Sequence, residues 1–294
     1  MRVYHSGSLA VQDRVGVRDL AERVGRSVAP GIRPVAAAFL EAQPMLVLGA
    51  AAPDGRVWAG LLTGLPGFAR AAGPHTLSVA GGLPDGDPLA GAVTAAGTPV
   101  GTLALDPRTR RRLRLNGTAR PSARGLTVAT GRVFANCPKY LQQRELLGRA
   151  EDSRPGPVRY GPALTPAQAA LVRAADTFFL TTTGPGGVDT GHRGGLPGFV
   201  EVVSPAELRW ADYPGNAMFL TLGNLEEDGR AGLLFLDWDT GTTLRLSGLA
   251  HAEYGPEGRA VRFRLDAVAE TPDASPLRWS APVPSPSNPP LRRA

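Results

Sequence analysis

Four short clusters carry the side chains able to do chemistry in this chain: Asn136-Cys137-Pro138-Lys139-Tyr140, His192-Arg193-Gly194, Asp212-Tyr213-Pro214-Gly215-Asn216 and Thr221-Leu222-Gly223-Asn224. Arg193 and Lys139 are cations suited to phosphate oxygens. His192 and Asn216 can donate or accept at a ring edge, and Trp210, Tyr213 and Tyr140 offer stacking faces. Together they suit an anionic ligand with a hydrogen-bonding head. His192 is the candidate for acid–base work, because an unperturbed imidazole titrates near neutrality. Three of the clusters also have a purely structural reading: His192 and Arg193 as residues of a barrel surface, Asp212 to Asn216 as a helix cap, Lys139 as a surface lysine. Other chemistries lack their signatures. His5, His75, His192 and His251 have no metal-ligand spacing with each other or with Cys137. There is no Gly-x-Ser-x-Gly elbow, no P-loop and no Gly-rich dinucleotide turn, and Cys137 has no acidic or histidine neighbour.

What selects these clusters is an internal repeat. Gly64-Leu65-Pro66-Gly67-Phe68 recurs 131 residues later as Gly195-Leu196-Pro197-Gly198-Phe199. The same offset, without a gap, carries Leu113-Arg114-Leu115, Gly117 and Ala119 onto Leu244-Arg245-Leu246, Gly248 and Ala250. About 20 of the 74 positions from Leu46 to Ala119 match their partners. Two units this alike should pair about a pseudo-twofold axis and leave a groove between them. His192-Arg193-Gly194 stands where copy one has Leu61-Leu62-Thr63, and Ala211 to Asn216 where it has Ala80 to Asp85. At the end of the unit the asymmetry reverses: copy one has Asn136 to Tyr140, copy two only Glu270-Thr271-Pro272. A groove with one wall from each copy would then hold a single complete site.

The elements that must position it follow from the pattern. A short helix is expected around Gly16 to Val24 and another over Pro34 to Gln43. Thr165-Pro166-Ala167-Gln168 predicts an N-cap, a first-turn proline and a capping-box glutamine for a helix reaching Ala175. Six short strands per copy are expected, with a helical stretch near Asp87 to Ala95 and Ala217 to Leu222, which suggests small closed barrels. The organisation is 1–148 for the lead-in and first barrel, 149–270 for a linker and the second barrel, and 271–294 for a Pro-rich tail expected to be extended or disordered, with Trp279 able to dock.

The chain's 294 residues suffice for two cores. No run reaches a membrane span, the N-terminus has no apolar signal core, and a single cysteine fits a reducing compartment, so a cytoplasmic protein is expected. Net charge is +6. The dense run Arg108, Arg110, Arg111, Arg112, Arg114 aligns with a hairpin turn, Asp237 to Gly241, and is read as a solvated turn rather than a nucleic-acid patch.

The clusters, with the strand order and the motif His192-Arg193-Gly194-Gly195-x-Pro197-Gly198-Phe199, resemble the FMN-binding split barrels of the pyridoxamine 5′-phosphate oxidase-like family, in a tandem-barrel form, over about residues 35 to 270. The resemblance implies a mainly β fold: two tandem split β-barrels forming an intramolecular pseudo-dimer, as a monomer or a homodimer of such chains. It implies one FMN between the barrels and a flavin redox step on a small-molecule substrate. It makes Arg193 and Lys139 phosphate ligands, and Gly194, Asp212, Tyr213, His192, Asn216, Thr221 and Asn224 further cofactor contacts. Related barrels use a deazaflavin or haem, and some bind cofactor without turnover, so those alternatives stay open.

Overall fold

The computed structural model describes residues 3–84 and 86–290. Residues 1, 2, 85 and 291–294, which fall in the lead-in, the copy-one loop and the end of the tail, lie outside the described residues. Copy one contains β1 (Met45–Ala51), β2 (Val57–Thr63), β3 (Ala69–Gly73), β4 (Thr76–Ala80), β5 (Thr98–Asp106), β6 (Arg111–Ser122) and β7 (Gly125–Ala135). After β8 (Leu146–Arg149) and β9 (Arg159–Gly161), copy two contains β10 (Thr177–Thr182), β11 (Asp189–Gly194), β12 (Val200–Ser204), β13 (Glu207–Ala211), β14 (Arg230–Leu236), β15 (Thr243–Gly255) and β16 (Gly258–Thr271).

The two sheets have one topology. Copy one runs β2-β1-β5-β6-β7-β4-β3 and copy two β11-β10-β14-β15-β16-β13-β12, all antiparallel, with β9 added on β16. Even the irregularities repeat: a bulge at Asn116/Gly117 returns at Ser247/Gly248, and one at Ala71/Gly73 returns at Val202/Ser204. The glycines of the first pair are required, because a side chain at Gly117 or Gly248 would enter the carbonyl of Ala129 or Arg264 on the next strand. All seven strands of copy one send side chains into one core, from Leu48 and Trp58 to Val79, Leu115 and Val128. The sheet is therefore curled on itself. The second core is built from Phe178, Trp210, Phe235, Leu246 and Phe263, but β11 contributes nothing apolar to it. The protein is mainly β, two tandem split barrels in one chain.

A third core lies between the barrels, where Met45, Val47, Leu103 and Leu105 meet Phe179, Leu234 and Leu236. It forms because the backbones can touch. A Cβ on Gly101 would come within 2.6 Å of the Thr190 amide nitrogen, and one on Gly232, its partner in the repeat, within 2.5 Å of the Val57 carbonyl oxygen.

Several expectations change. Each copy contributes seven strands rather than six, and β9 adds an eighth to the second sheet. The extra one of each copy, β3 or β12, is five residues long and follows the Gly-Leu-Pro-Gly-Phe corner, where Ala69-Arg70-Ala71-Ala72-Gly73 offers little β-branched signal. Asp87 to Ala95 forms turns, not a helix, with Gly86, Gly91 and Gly97 at φ of 77°, 76° and 100°. In copy two the helix is real but starts later, as α5 (Leu220–Glu227). The lead-in holds two helices, α1 (Ser6–Val15) and α2 (Arg18–Gly25), before α3 (Pro34–Glu41). The capping box at Thr165 and Gln168 forms as expected and opens α4 (Pro166–Ala174). The described part of the tail, through residue 290, is not loose. Its strand β17 (Leu277–Trp279) pairs with β8, and Trp279 is buried edge-on against Trp238 at 5.6 Å.

Replacing Gly232 by alanine should lower stability by about 1–3 kcal/mol, as overpacking does, by forcing the barrels apart. Gly82→Ala, with nothing within 4 Å of its Cβ position, should be neutral. Denaturant unfolding of both variants checks this.

Candidate functional site

Copy one supplies one wall of an inter-barrel cavity: Arg112 and Arg114 from β6, then Asn136, Cys137, Lys139 and Tyr140 beyond the end of β7. Copy two supplies the other: His192, Arg193 and Gly194 from β11, then Asp212, Tyr213 and Asn216, and finally Thr221 in α5. The cavity encloses about 120 Å³.

Of the residues singled out in the sequence as site candidates, all but Trp210 and Asn224 line it; Trp210 is buried in the copy-two core, edge-on to Phe178. The Asn224 amide donates to Thr182 and its Oδ1 lies 2.9 Å from Nε2 of His5, which ties α5 to the N-terminal helix. Asp212 is on the wall but already committed, accepting from Arg259 Nε at 3.0 Å and facing Arg193 Nε at 3.9 Å. It orients Arg193. Asn216 accepts from the Met218 amide through its side-chain oxygen, and Thr221 donates to Asp189. Gly194 is needed for packing, because a side chain there would strike the Tyr140 carbonyl of the other copy.

Arg112 and Arg114 correct the reading of the arginine run. They are only 9% and 8% exposed, inside the protein rather than on a solvated turn. Arg114 donates to Asp189 at 2.6 Å, and Asn116 donates to the other oxygen of that carboxylate at 2.9 Å. Burial raises the Asp189 pKa, but Arg114, Asn116 and Arg132 outweigh it and hold the group below the ordinary carboxylate range. Arg112 has no such partner. Its Nη1 donates to His192 Nδ1 at 2.7 Å and its Nη2 to the carbonyls of Cys137 and Lys139. Burial, with Arg114 and Arg193 nearby, pushes its pKa down to about 9. Asp189 and Asn116 were also missed. The repeat could have exposed Asp189, which replaces the core residue Trp58. Strand alternation could have turned Arg112 and Arg114 inward together.

His192 is neutral here. Burial comes first, then Arg112, Arg193, Arg114 and Arg144, and together they drive its pKa well below 6.5. With Nδ1 accepting from Arg112, Nε2 carries the proton, and that nitrogen has no partner in the protein. His192 is thus a neutral N–H donor rather than a stored acid. The Arg112, Arg114 and Arg193 Nε atoms and Asn136 Oδ1 are likewise buried without hydrogen-bond partners. Orphaned polar groups concentrated in one cavity are costly unless a ligand meets them. Tyr140, Ala217 and Phe219 on its walls hold φ of 64°, 61° and 52°, strain of the kind that collects at functional sites.

The pseudo-symmetric position has been closed. A crevice of about 10 Å³ is lined there by Leu61, Pro84, Asp87, Thr243 and Arg245, the repeat partners of His192, Gly215, Met218, Arg112 and Arg114. Asp87 forms an ion pair with Arg245 as Asp189 does with Arg114, and Thr243 stands where Arg112 does, so the unpaired cation of the open half has no counterpart in the closed one.

No protein-family model matches this chain, and no curated protein does either. Solved structures that resemble part of it include HupZ of Group A Streptococcus, at 12% identity over 36% of this chain and 98% of that one, with a TM-score of 0.30. Others are an FAD-binding protein from Mycobacterium smegmatis (10% identity, 39% and 97%, TM-score 0.27) and one from Mesorhizobium loti (11%, 39% and 97%, TM-score 0.28).

The histidine environment gives a pH signature. An unfolded chain protonates His192 near 6.5 while the native state resists it, so this contribution to stability is complete above that pH and is lost as pH falls below it, at up to ~1.4 kcal/mol per unit. Urea unfolding at pH 7.5, 6.5 and 5.5 should show a shallower acid loss for His192→Gln than for the wild type. Equal slopes would contradict the assignment.

Proposed function

We propose that the inter-barrel cavity binds a flavin, FMN by preference, and that the chain is an FMN-dependent oxidoreductase acting on a small molecule. The observation that carries this is Arg112: a buried guanidinium in no ion pair among the described residues, in a cavity with four further unpartnered polar atoms. An uncompensated buried charge is strongly unfavourable, and an anionic ligand removes the penalty. The donor set fits FMN. Arg112, Arg193 and Lys139 would hold the phosphate, and His192 Nε2–H and Asn136 Oδ1 supply one donor and one acceptor for a polar ring edge. Bound FMN would supply hydride or electron transfer; the protein's part is to bind, orient and neutralise.

The enclosed 120 Å³ is below the roughly 300–1,000 Å³ of ordinary ligand pockets. Tyr140 and Tyr213, one from each copy, meet at 5.2 Å, and the Tyr140 hydroxyl donates to the Pro214 carbonyl at 2.9 Å. A whole FMN therefore requires this contact to part, and closing it again would shield the site from water.

The test is the visible spectrum of the purified protein, with identification of any released chromophore and reconstitution with FMN where none is present. The proposal expects a flavin spectrum or saturable FMN binding. A Soret band, or no binding, would overturn it. Arg112→Ala should weaken FMN by roughly 10–100-fold, the scale of one buried charge-assisted hydrogen bond, whereas Arg124→Ala on the exposed surface should not.

A further inference from the structure

On the far side of Arg112 and Asn136, which line both spaces, lies a second and larger cavity of about 570 Å³. Its floor is apolar: Ala36 and Phe39 from α3, Leu113 from β6, and Val133 from β7. Its rim is cationic. Arg33, Arg110 and Arg111 stand around it and no acidic residue lines it. Arg110 is occupied, donating to the carbonyls of Leu141 and Val283. Arg33 and Arg111 are exposed and in no ion pair among the described residues, and the Arg111 guanidinium lies 5.7 Å from the Phe39 ring centroid. In the partition sits Asn136 Oδ1, a buried acceptor with no donor.

We propose that this second cavity is a binding site for a compact aromatic or branched apolar molecule bearing one anionic group, with its apolar body on the Phe39–Val133 floor and its anion at Arg33 and Arg111. Volume, apolar floor and a few convergent polar groups are the ordinary makings of a small-molecule site. Arginine suits the anion because its planar fork binds oxyanions while its face rests on an aromatic ring. The site stands on its own residues and does not require that the first cavity hold a flavin.

The experiment uses two fluorescent probes that differ by one sulfonate: 8-anilinonaphthalene-1-sulfonate and the neutral N-phenyl-1-naphthylamine. Titrated into the full chain, the sulfonate should bind at least tenfold more tightly than the amine. The exposed double substitution Arg33→Glu, Arg111→Glu should weaken the sulfonate tenfold or more and move the amine less than threefold. Ala135→Trp, an exposed position on the cavity lining, should displace both probes, and Arg124→Glu, the same charge change elsewhere, neither. Arg193→Ala should leave sulfonate binding intact. Equal affinity for the two probes, an equal effect of the double substitution on both, or full binding to Ala135→Trp would overturn the proposal. So would loss of the sulfonate in Arg193→Ala, which would place the anion in the first cavity.

Discussion

Two barrels can share a core only where their backbones are allowed to touch, and here glycine makes that touch possible. Gly101 lies against the amide of Thr190, and Gly232, its partner in the repeat, against Val57 and Trp58. With no Cβ at either point the sheets close until Phe179 and Leu234 meet Val47 and Leu103. Everything functional follows from that seating. It sets β6 of one barrel beside β11 of the other, so the ends of strands from different copies converge on one volume. A symmetric seating makes two such volumes, and the chain has treated them differently.

The difference lies in the number of buried cations: Arg112 stands where copy two has Thr243. In the closed crevice Asp87 neutralises Arg245. In the open cavity the position of Asp87 is taken by Met218, and Asp189 accounts for Arg114 but leaves Arg112 uncompensated. A low-dielectric wall magnifies that one unmatched charge, and burial, with that charge added to it, holds His192 neutral. Gln142, buried and central, keeps the walls in register. Its amide donates to the carbonyls of Tyr140 and Gly195, while its oxygen accepts from Ser285 and Asn288. The proline-rich tail is thereby a brace for the cavity's rear, which explains why its described residues are docked.

Much of this was legible because the repeat has no gap. Strand order and the glycine corners follow from local chemistry that both copies share, and the capping box of α4 from four consecutive residues of copy two alone. The copy-two wall was legible for the opposite reason: His192 and Arg193 replace leucines at positions where a barrel strand has no use for charge. The sequence was opaque where a residue's neighbours lie far along the chain. Arg112 and Arg114 look like members of a surface run until β6 is placed against β11, 75 to 80 residues away. Asn224 looks like a site residue until α1 brings His5 to it. The tail lacks periodicity, so nothing local announces β17; its register comes from β8 and its anchor from Trp238.

The central claim is that the internal repeat leaves one working anion site in two equivalent positions. Its most direct measurement is the binding stoichiometry of FMN by calorimetric titration of the purified chain, stripped of any endogenous ligand and at known active concentration. The account predicts one FMN per chain. Two per chain, with the second retained in Arg33→Glu, Arg111→Glu, would show that the Asp87–Arg245 crevice is also a site, and none would remove the cavity's assignment altogether.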